Sequence, residues 1–207
     1  MRRSAAPRAR RDPLGAPLAE AFYDRDTEQV ARDLLGCIVA CRSPEGLTAG
    51  RIVETEAYLG PHDPACHAVA GRTKRTHWLF GPPGVAYVYF IYGVHWCLNA
   101  VTREEGFGSA VLIRALEPTE GVALMRKRRG VARDRDLTNG PGKLCQALGI
   151  TGAHDGMSLA SSELAIHAGA PLPDEAVAVT PRIGITKAAD LPLRWVVQES
   201  AFLSRMV

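Results

Sequence analysis

The residues best suited to chemistry lie in the run Arg51-Ile-Val-Glu-Thr-Glu-Ala-Tyr-Leu-Gly60. Side chains alternate along a strand, so Glu54, Glu56 and Tyr58 would share one face and Val53, Thr55 and Ala57 the other. Two carboxylates in an apolar, β-branched strand are poor material for an ordinary core. A Glu beside a Tyr in such a place could be a tuned general base. It could equally be an acid on an amphipathic strand, answered by Arg51 and solvent. A second run, Val85-Ala-Tyr-Val-Tyr-Phe-Ile-Tyr-Gly-Val-His-Trp-Cys-Leu-Asn99, concentrates aromatics in a chain that is only 6% aromatic. Tyr87 and Tyr89 alternate onto one face, and Tyr92 stands just before Gly93, where the chain can turn. Aromatics can stack on a nucleobase, a projecting one can wedge into a base stack, and either can be plain sheet packing.

Three further segments carry charge. Arg114 sits inside the apolar run Ile113-Arg-Ala-Leu-Glu-Pro118, where a guanidinium wants a carboxylate or an anionic ligand. Asn139-Gly-Pro-Gly-Lys-Leu144 lacks the spacing of a nucleotide P-loop, yet places backbone N–H groups and Lys143 at a helix start, a ready phosphate contact. Residues 126–135 hold six basic residues against one acid, Asp134 at the centre of the basic pair Arg133 and Arg135. That cluster could track a DNA backbone or form a solvated face.

Other chemistries find no support. His62 and His67 have no zinc-ligand spacing and no neighbouring Cys pair, so no metal is expected. No G-x-S-x-G run points to a serine hydrolase. The five cysteines are odd in number and form no C-x-x-C, which suits reduced, buried thiols. No cofactor is expected.

The elements that must position these residues are readable. A first helix starts near Asp26, with an Asp26–Gln29 capping spacing, an apolar face of Val30, Ala31, Leu34 and Leu35, and a stop at Gly36. Strands are expected at 37–42, 50–58, 85–91, 98–101 and 110–116, bounded by Gly and Pro. One later helix would run from about Pro118 to the basic cluster before Gly130, another from Pro141 to Gly149. Residues 181–197 read as further strand broken by an exposed loop. Clustered strands without βαβ rhythm predict one mixed α/β (α+β) domain over 20–207 with a mostly antiparallel sheet or barrel. Residues 1–19 read as a disordered basic tail, a transit peptide or a DNA-grazing arm.

Bulk charge says little. The formal charge of +3 reflects five arginines in residues 1–11, and the rest holds 20 basic against 22 acidic residues. Any basic footprint must therefore be local. No apolar run reaches the length of a membrane span, and the N-terminal stretch lacks a secretory h-region, so neither membrane association nor export is expected.

Taken in order, these segments resemble one family. The runs R-I-V-E-T-E-A-Y-L-G-P (51–61), His67, G-P-P-G-V-A-Y-V-Y-F-I-Y-G (81–93), Asn99, L-I-R-A-L-E-P (112–118) and G-P-G-K-L-C-Q-A-L (140–148) are similar to the alkyladenine (3-methyladenine) DNA glycosylases. The resemblance implies a curved, mostly antiparallel open β-barrel-like sheet flanked by helices. It implies a monofunctional enzyme that flips alkylated or deaminated purines out of double-stranded DNA and hydrolyses their N-glycosidic bond. The substrates it implies are of the 3-methyladenine, 7-methylguanine, hypoxanthine and ethenoadenine type.

Residue by residue, it casts Glu56 as the group that activates water and Arg114 as its helper. Tyr58, His67 and Tyr89 become pocket walls, and Asn99 the side chain that crowds the exocyclic amino group of guanine. Tyr92 fills the gap left in the duplex, and Arg75, Gly142 and Lys143 meet the DNA backbone. Such an enzyme is expected to act as a monomer, in a bacterial cytoplasm or a eukaryotic nucleus. Where family members often carry Asn after the Arg of the T-x-R loop, Thr76 follows Arg75, which puts one loop or DNA contact in question. Two competing readings are an inactive nucleic-acid-binding module of this fold and a lyase that uses Lys74 or Lys143 as an amine nucleophile.

Overall fold

The computed structural model describes residues 14–207. Its strands are β1 (Ile38–Ser43), β2 (Gly46–Tyr58), β3 (Ala86–Ile91), β4 (His95–Thr102), β5 (Ser109–Glu120), β6 (Leu164–His167), β7 (Val177–Thr180) and β8 (Arg194–Val197). Four helices accompany them, α1 (Glu20–Tyr23), α2 (Thr27–Asp33), α3 (Val122–Arg129) and α4 (Pro141–Leu148). All eight strands join one antiparallel sheet in the order β3-β4-β5-β2-β1-β6, with β8 between β2 and β7. The sheet does not close, and the expected open, helix-flanked α+β architecture is present.

β2 is the spine. Its first half pairs with β1, its second half with β8, and its other edge with β5 throughout. A strand paired on both edges and covered on both faces must be buried, which is why residues 52–57 have no exposed member. Three irregularities break its pairing with β5: one at Ala49–Gly50 leaves Thr119 over, and two bulges lie beside the acids. Ile52 pairs with Leu116 and Glu54 with Ala115, leaving Val53 over; Thr55 pairs with Ile113, leaving Arg114 over. A bulge re-aims the side chains around it. Hence Val53 does not share a cluster with Ala57 as simple alternation predicts; it packs with Ala115, Val196 and Leu203. Thr55 keeps the expected face and donates to the Ala31 carbonyl of α2 at 2.8 Å.

The main core lies between the sheet and α2 and α4, built on Val30, Leu34, Ile52, Leu98, Ile113, Leu144 and Leu148. α2 begins where expected: the Asp26 carboxylate accepts from the N–H groups of Glu28 and Gln29. α3 starts later than expected. Pro118 stays in β5 opposite Gly50, and the helix begins only after Gly121 turns the chain at φ 68°. Of residues 181–197 only the last four form a strand, β8. All five cysteines are buried. Residues 1–13 of the expected tail lie outside the described residues. Residues 14–19, expected to be disordered with them, are instead attached to β6: Pro17 bridges to His167 and the Leu18 N–H donates to the Ile166 carbonyl at 2.7 Å. No helix among the described residues is long and apolar enough to cross a membrane.

Candidate active site

One face of β3, β4 and β5 lines a cavity of about 450 Å³, a size suited to a small ligand. Its walls include Tyr58 from β2, His67, Tyr87 and Tyr89 from β3, Asn99 from β4, and Leu112 and Arg114 from β5. The rim adds Tyr92, Gly142, Lys143 and the segment 183–185. Eight of the ten residues singled out in the sequence thus border one cavity, although they come from positions 58 to 143.

Glu56 is the exception that matters, because it lies behind the wall with no exposed surface. Its Oε2 accepts from Arg114 Nη1 at 3.1 Å and from the Tyr58 hydroxyl at 3.0 Å, and its Oε1 accepts from the Ile183 N–H at 2.7 Å. A carboxylate has about four acceptor sites, so this leaves one for a water or substrate group. Burial pushes the Glu56 carboxyl above its ordinary range, while Arg114, the Ile183 N–H and Tyr58 pull it back. A buried carboxylate with raised basicity and a spare acceptor site can take a proton from water.

Arg114 reaches this position because of the bulge that leaves it unpaired in β5. Its Nε donates to Glu54 at 3.2 Å while Nη1 serves Glu56, so one guanidinium bridges both acids. Glu54, Glu56 and Tyr58 do share a face, as alternation predicts. The face is buried rather than wet, and Arg114 rather than Arg51 answers the acids. Arg51 meets Glu117 near the surface instead.

The aromatic wall is held by its own contacts. The His67 Nδ1 and the Tyr87 hydroxyl hydrogen-bond at 2.9 Å, and the His67 ring meets that of Tyr89 edge-on at 4.6 Å. Burial and the nearby Arg75 hold the His67 imidazole below its usual range, which favours the uncharged ring. Asn99 Nδ2 donates to the Tyr87 carbonyl at 3.0 Å, which fixes the amide across the β3–β4 pair. Arg75 lies outside the cavity with its guanidinium 5.4 Å from the Tyr89 ring centre. Thr76, the departure from the family pattern, closes its own loop: its hydroxyl donates to the Gly71 carbonyl and accepts from the Thr73 N–H, each at 2.8 Å. All of these bonds stay within residues 71–76, so Thr76 belongs to the loop's own bonding.

Tyr92 is 82% exposed, so its alternative reading as core is excluded. Ile91 and Val94 are joined by the Val94 N–H to Ile91 carbonyl bond at 3.2 Å, with Tyr92 at φ 54° and Gly93 at φ 69° between them. Two positive φ values make this a primed hairpin turn, which suits the twist of β3 and β4. An aromatic in that conformation is uncommon and costs energy. Phe90 and Val94 are also exposed, so the tip is an apolar prominence at the cavity mouth.

Sequence reasoning missed one part of the site. Arg182, from the segment read as further strand broken by an exposed loop, is buried, pairs its two terminal nitrogens with the Asp63 carboxylate, and lies 4.7 Å from the Tyr58 ring centre. It anchors the segment that delivers the Ile183 N–H to Glu56. The signal was an arginine between apolar neighbours, Pro181-Arg-Ile-Gly-Ile185, the same signal that singled out Arg114. The basic cluster 126–135 goes the other way. Arg126 pairs with Asp134, Lys127 and Arg128 with Glu45, and Arg133 with Asp136, while Arg129 donates to the Leu137 carbonyl. None of it lines the cavity. No group of three or more His, Cys, Asp or Glu among the described residues is placed to hold a metal ion.

The chain is similar to known proteins over most of its length. The family model for methylpurine-DNA glycosylase matches residues 21–201. A protein of Methanoculleus marisnigri is 54% identical over 191 residues, covering 91% of this chain and 98% of its own. One of Rhodopseudomonas palustris is 50% identical, covering 93% and 92%, and one of Bradyrhizobium diazoefficiens is 49% identical, covering 97% and 98%. All three are named, provisionally, as 3-methyladenine DNA glycosylases. Matched along nearly its whole described length, the chain belongs to the methylpurine-DNA glycosylase family of DNA repair enzymes.

Proposed function

We propose that the enzyme hydrolyses the N-glycosidic bond of alkylated or deaminated purines in double-stranded DNA, as a monomer, and leaves an intact abasic site. The observation that carries this reading is the Glu56–Arg114 pair behind an aromatic cavity that opens beside an exposed tyrosine. A base inside a duplex is out of reach, so the target must rotate out and something must occupy its place. Tyr92 occupies it. The flipped purine enters among Tyr58, His67 and Tyr89, and Asn99 crowds a guanine exocyclic amine. Arg75, Gly142 and Lys143 meet the flanking phosphates.

The bond breaks through an oxocarbenium-like state. The glycosidic electron pair leaves with the purine, a water oxygen bonds to C1′, and the water's proton goes to Glu56. A purine alkylated on a ring nitrogen is cationic and leaves neutral. Aromatic walls favour such a cation by about 0.5–2 kcal/mol for each good contact. The uncharged His67 adds no opposing charge. Selectivity for 3-methyladenine and 7-methylguanine then needs few specific hydrogen bonds, whereas hypoxanthine and ethenoadenine are neutral, rely on stacking in the same cavity and must take up a proton from solvent as the glycosidic bond breaks.

The test is base release from duplexes carrying hypoxanthine, ethenoadenine or 7-methylguanine, scored for strand breaks with and without alkali. Free base with alkali-dependent breaks is expected. Lys143 also borders the cavity, its Nζ donating to Asn139 at 2.9 Å, and so keeps a lyase reading open. Breaks without alkali, or a borohydride-trapped adduct on Lys143, would establish that reading instead.

A further inference from the structure

Glu54 is as deeply buried as Glu56 and better supplied with donors, yet it does not touch the cavity. It accepts from Arg114 Nε at 3.2 Å, Arg194 Nε at 2.7 Å, the Ser204 N–H at 2.6 Å and the Ser204 hydroxyl at 2.7 Å. Ser204 lies beyond the family match, which ends at residue 201. Its Oγ also accepts from Arg114 Nη2 at 3.3 Å. Arg194 is itself held on both sides, by Thr180 at 2.9 Å and by the Arg205 carbonyl at 2.6 Å. Leu203, buried with Val53, Ala115 and Val196, pins this last segment against the sheet.

The charges alternate along a line: Glu56, Arg114, Glu54, Arg194. Each interior member has an opposite charge on either side. We propose that Glu54, Ser204 and Arg194 are positioning residues, which fix Arg114 so that Nη1 faces Glu56 and balance the charge of Glu54 so that Arg114 remains available to it. This rests on the reading of Glu56 as the base. Two of the three groups on Arg114 are set by this device, through Nε and Nη2, and only Nη1 is left for the site. A guanidinium is planar, so fixing two of its nitrogens fixes the third.

The groups facing Glu56 are Tyr58 on its own strand, Arg114 on β5, Arg182 with the Ile183 N–H from the 181–193 segment, and Arg194, its cross-strand partner on β8. Glu56 must be ionised to act, so the rate rises with pH through its titration. Removing the charge of Glu54 takes away a like charge and frees Arg114, so Glu56 titrates lower. Removing the charge of Arg194 leaves Glu54 to draw on Arg114 alone, so Glu56 titrates higher.

The experiment is single-turnover excision of hypoxanthine from a duplex across pH, with damaged-duplex affinity and melting temperature measured alongside. Glu54→Gln is expected to move the acid limb down, and Arg194→Gln up, each by on the order of one pH unit. Arg194→Lys should restore part of the shift. Ser204→Ala keeps every charge and should lower the plateau rate about three- to tenfold with duplex affinity unchanged. If the charge variants do not fold, Ser204→Ala decides alone. A wild-type rate in Ser204→Ala, or acid limbs that move together in the two charge variants, overturns the proposal. Glu56→Gln separates the two readings: activity in that variant rejects the base itself, whereas an inactive Glu56→Gln with unmoved limbs rejects only the positioning device.

Discussion

Two regions of this molecule are built from the same residue types and do opposite things with them. Around β2, three acids and three arginines (Glu54, Glu56, Asp63, Arg114, Arg182, Arg194) are buried, each with several short bonds. On and after α3, a longer run of basic residues lies nearer the surface, where Arg126, Lys127 and Arg133 each meet one partly exposed acid and Arg128 and Arg129 tie α3 to neighbouring loops and to α4. Buried charges are costly unless fully paired, so their geometry is enforced and loss of one partner is felt strongly. Exposed pairs are screened and contribute little. Density of charge in the sequence is therefore a poor guide to importance here. One arginine in an apolar strand says more than six basic residues within ten positions.

The sharpest way to test the buried half is Glu56→Gln. The amide keeps the shape but cannot take a proton, so excision should fall by about 10²–10⁴, the usual worth of general base catalysis. Damaged-duplex affinity should persist. Single-turnover rates near wild type would place the base elsewhere.

Next in size is the Asp63–Arg182 pair. Burial pushes the Asp63 carboxyl up, but the hydrogen bonds from Arg182 and from the Ala65 and Leu59 N–H groups hold it below its ordinary value. A carboxyl held low contributes stability that is present above its unfolded pKa and is lost as pH falls through the folded value. Asp63→Asn should cost about 3–5 kcal/mol, because it leaves a buried guanidinium unpaired. Urea denaturation at pH 7 measures that loss. The difference from wild type should begin to shrink below about pH 4, where the unfolded carboxyl takes up its proton, and be lost only at the lower pH where the folded Asp63 is itself protonated. A loss that stays constant through acid pH would show that shape, not charge, is what Asp63 supplies.

Tyr92→Ser should cost little stability, within about 0.5 kcal/mol, because the side chain is exposed. Its effect on excision should be largest for well-paired lesions and smallest for lesions in bulges or single strands, where little stacking must be broken. Equal losses on every substrate, bulged and single-stranded lesions included, would show that Tyr92 does not fill the gap in the duplex.

How much of this was legible without coordinates follows from the same contrast. Local signals carried far: Asp26 as a helix cap, the hairpin turn at Tyr92-Gly93, and the apolar periodicity of α4 are short-range and appear where expected. The family-like motifs brought Tyr58, His67, Tyr89, Asn99 and Arg114 to one cavity. Pairing across the sheet was not legible. The Val53 and Arg114 bulges depend on how β2 meets β5, 60 residues apart for the Glu54–Arg114 pair. Arg182 and Ser204 reach β2 from 125 and 150 residues away. The apolar neighbours of Arg182 mark it as an arginine to be buried, but they do not say against which acid, and the neighbours of Ser204 carry no signal at all. The short strands β6 and β7, four residues each, are likewise specified by the edges they cover rather than by their own pattern.

The smallest expected effect bears most directly on the surface half of the comparison. If the 126–135 cluster serves the fold rather than DNA, removing one of its charges should leave DNA binding alone. Lys127 is the cleanest choice, since its side chain is 76% exposed and its partner Glu45 also bonds Arg128. Lys127→Ala should change stability by no more than about 0.5 kcal/mol. It should also leave the salt dependence of duplex binding unchanged. Lys143→Ala and Arg75→Ala, beside the cavity, should each weaken damaged and undamaged duplexes alike and reduce the slope of log affinity against log salt by about 0.9. The two measurements together discriminate, because a general loss of positive charge would flatten all three slopes to a similar degree. A reduced slope for Lys127→Ala, with none for Lys143→Ala, would invert the assignment. It would mean that DNA lies along α3, and that the exposed Tyr92 tip points away from the helix it is proposed to enter.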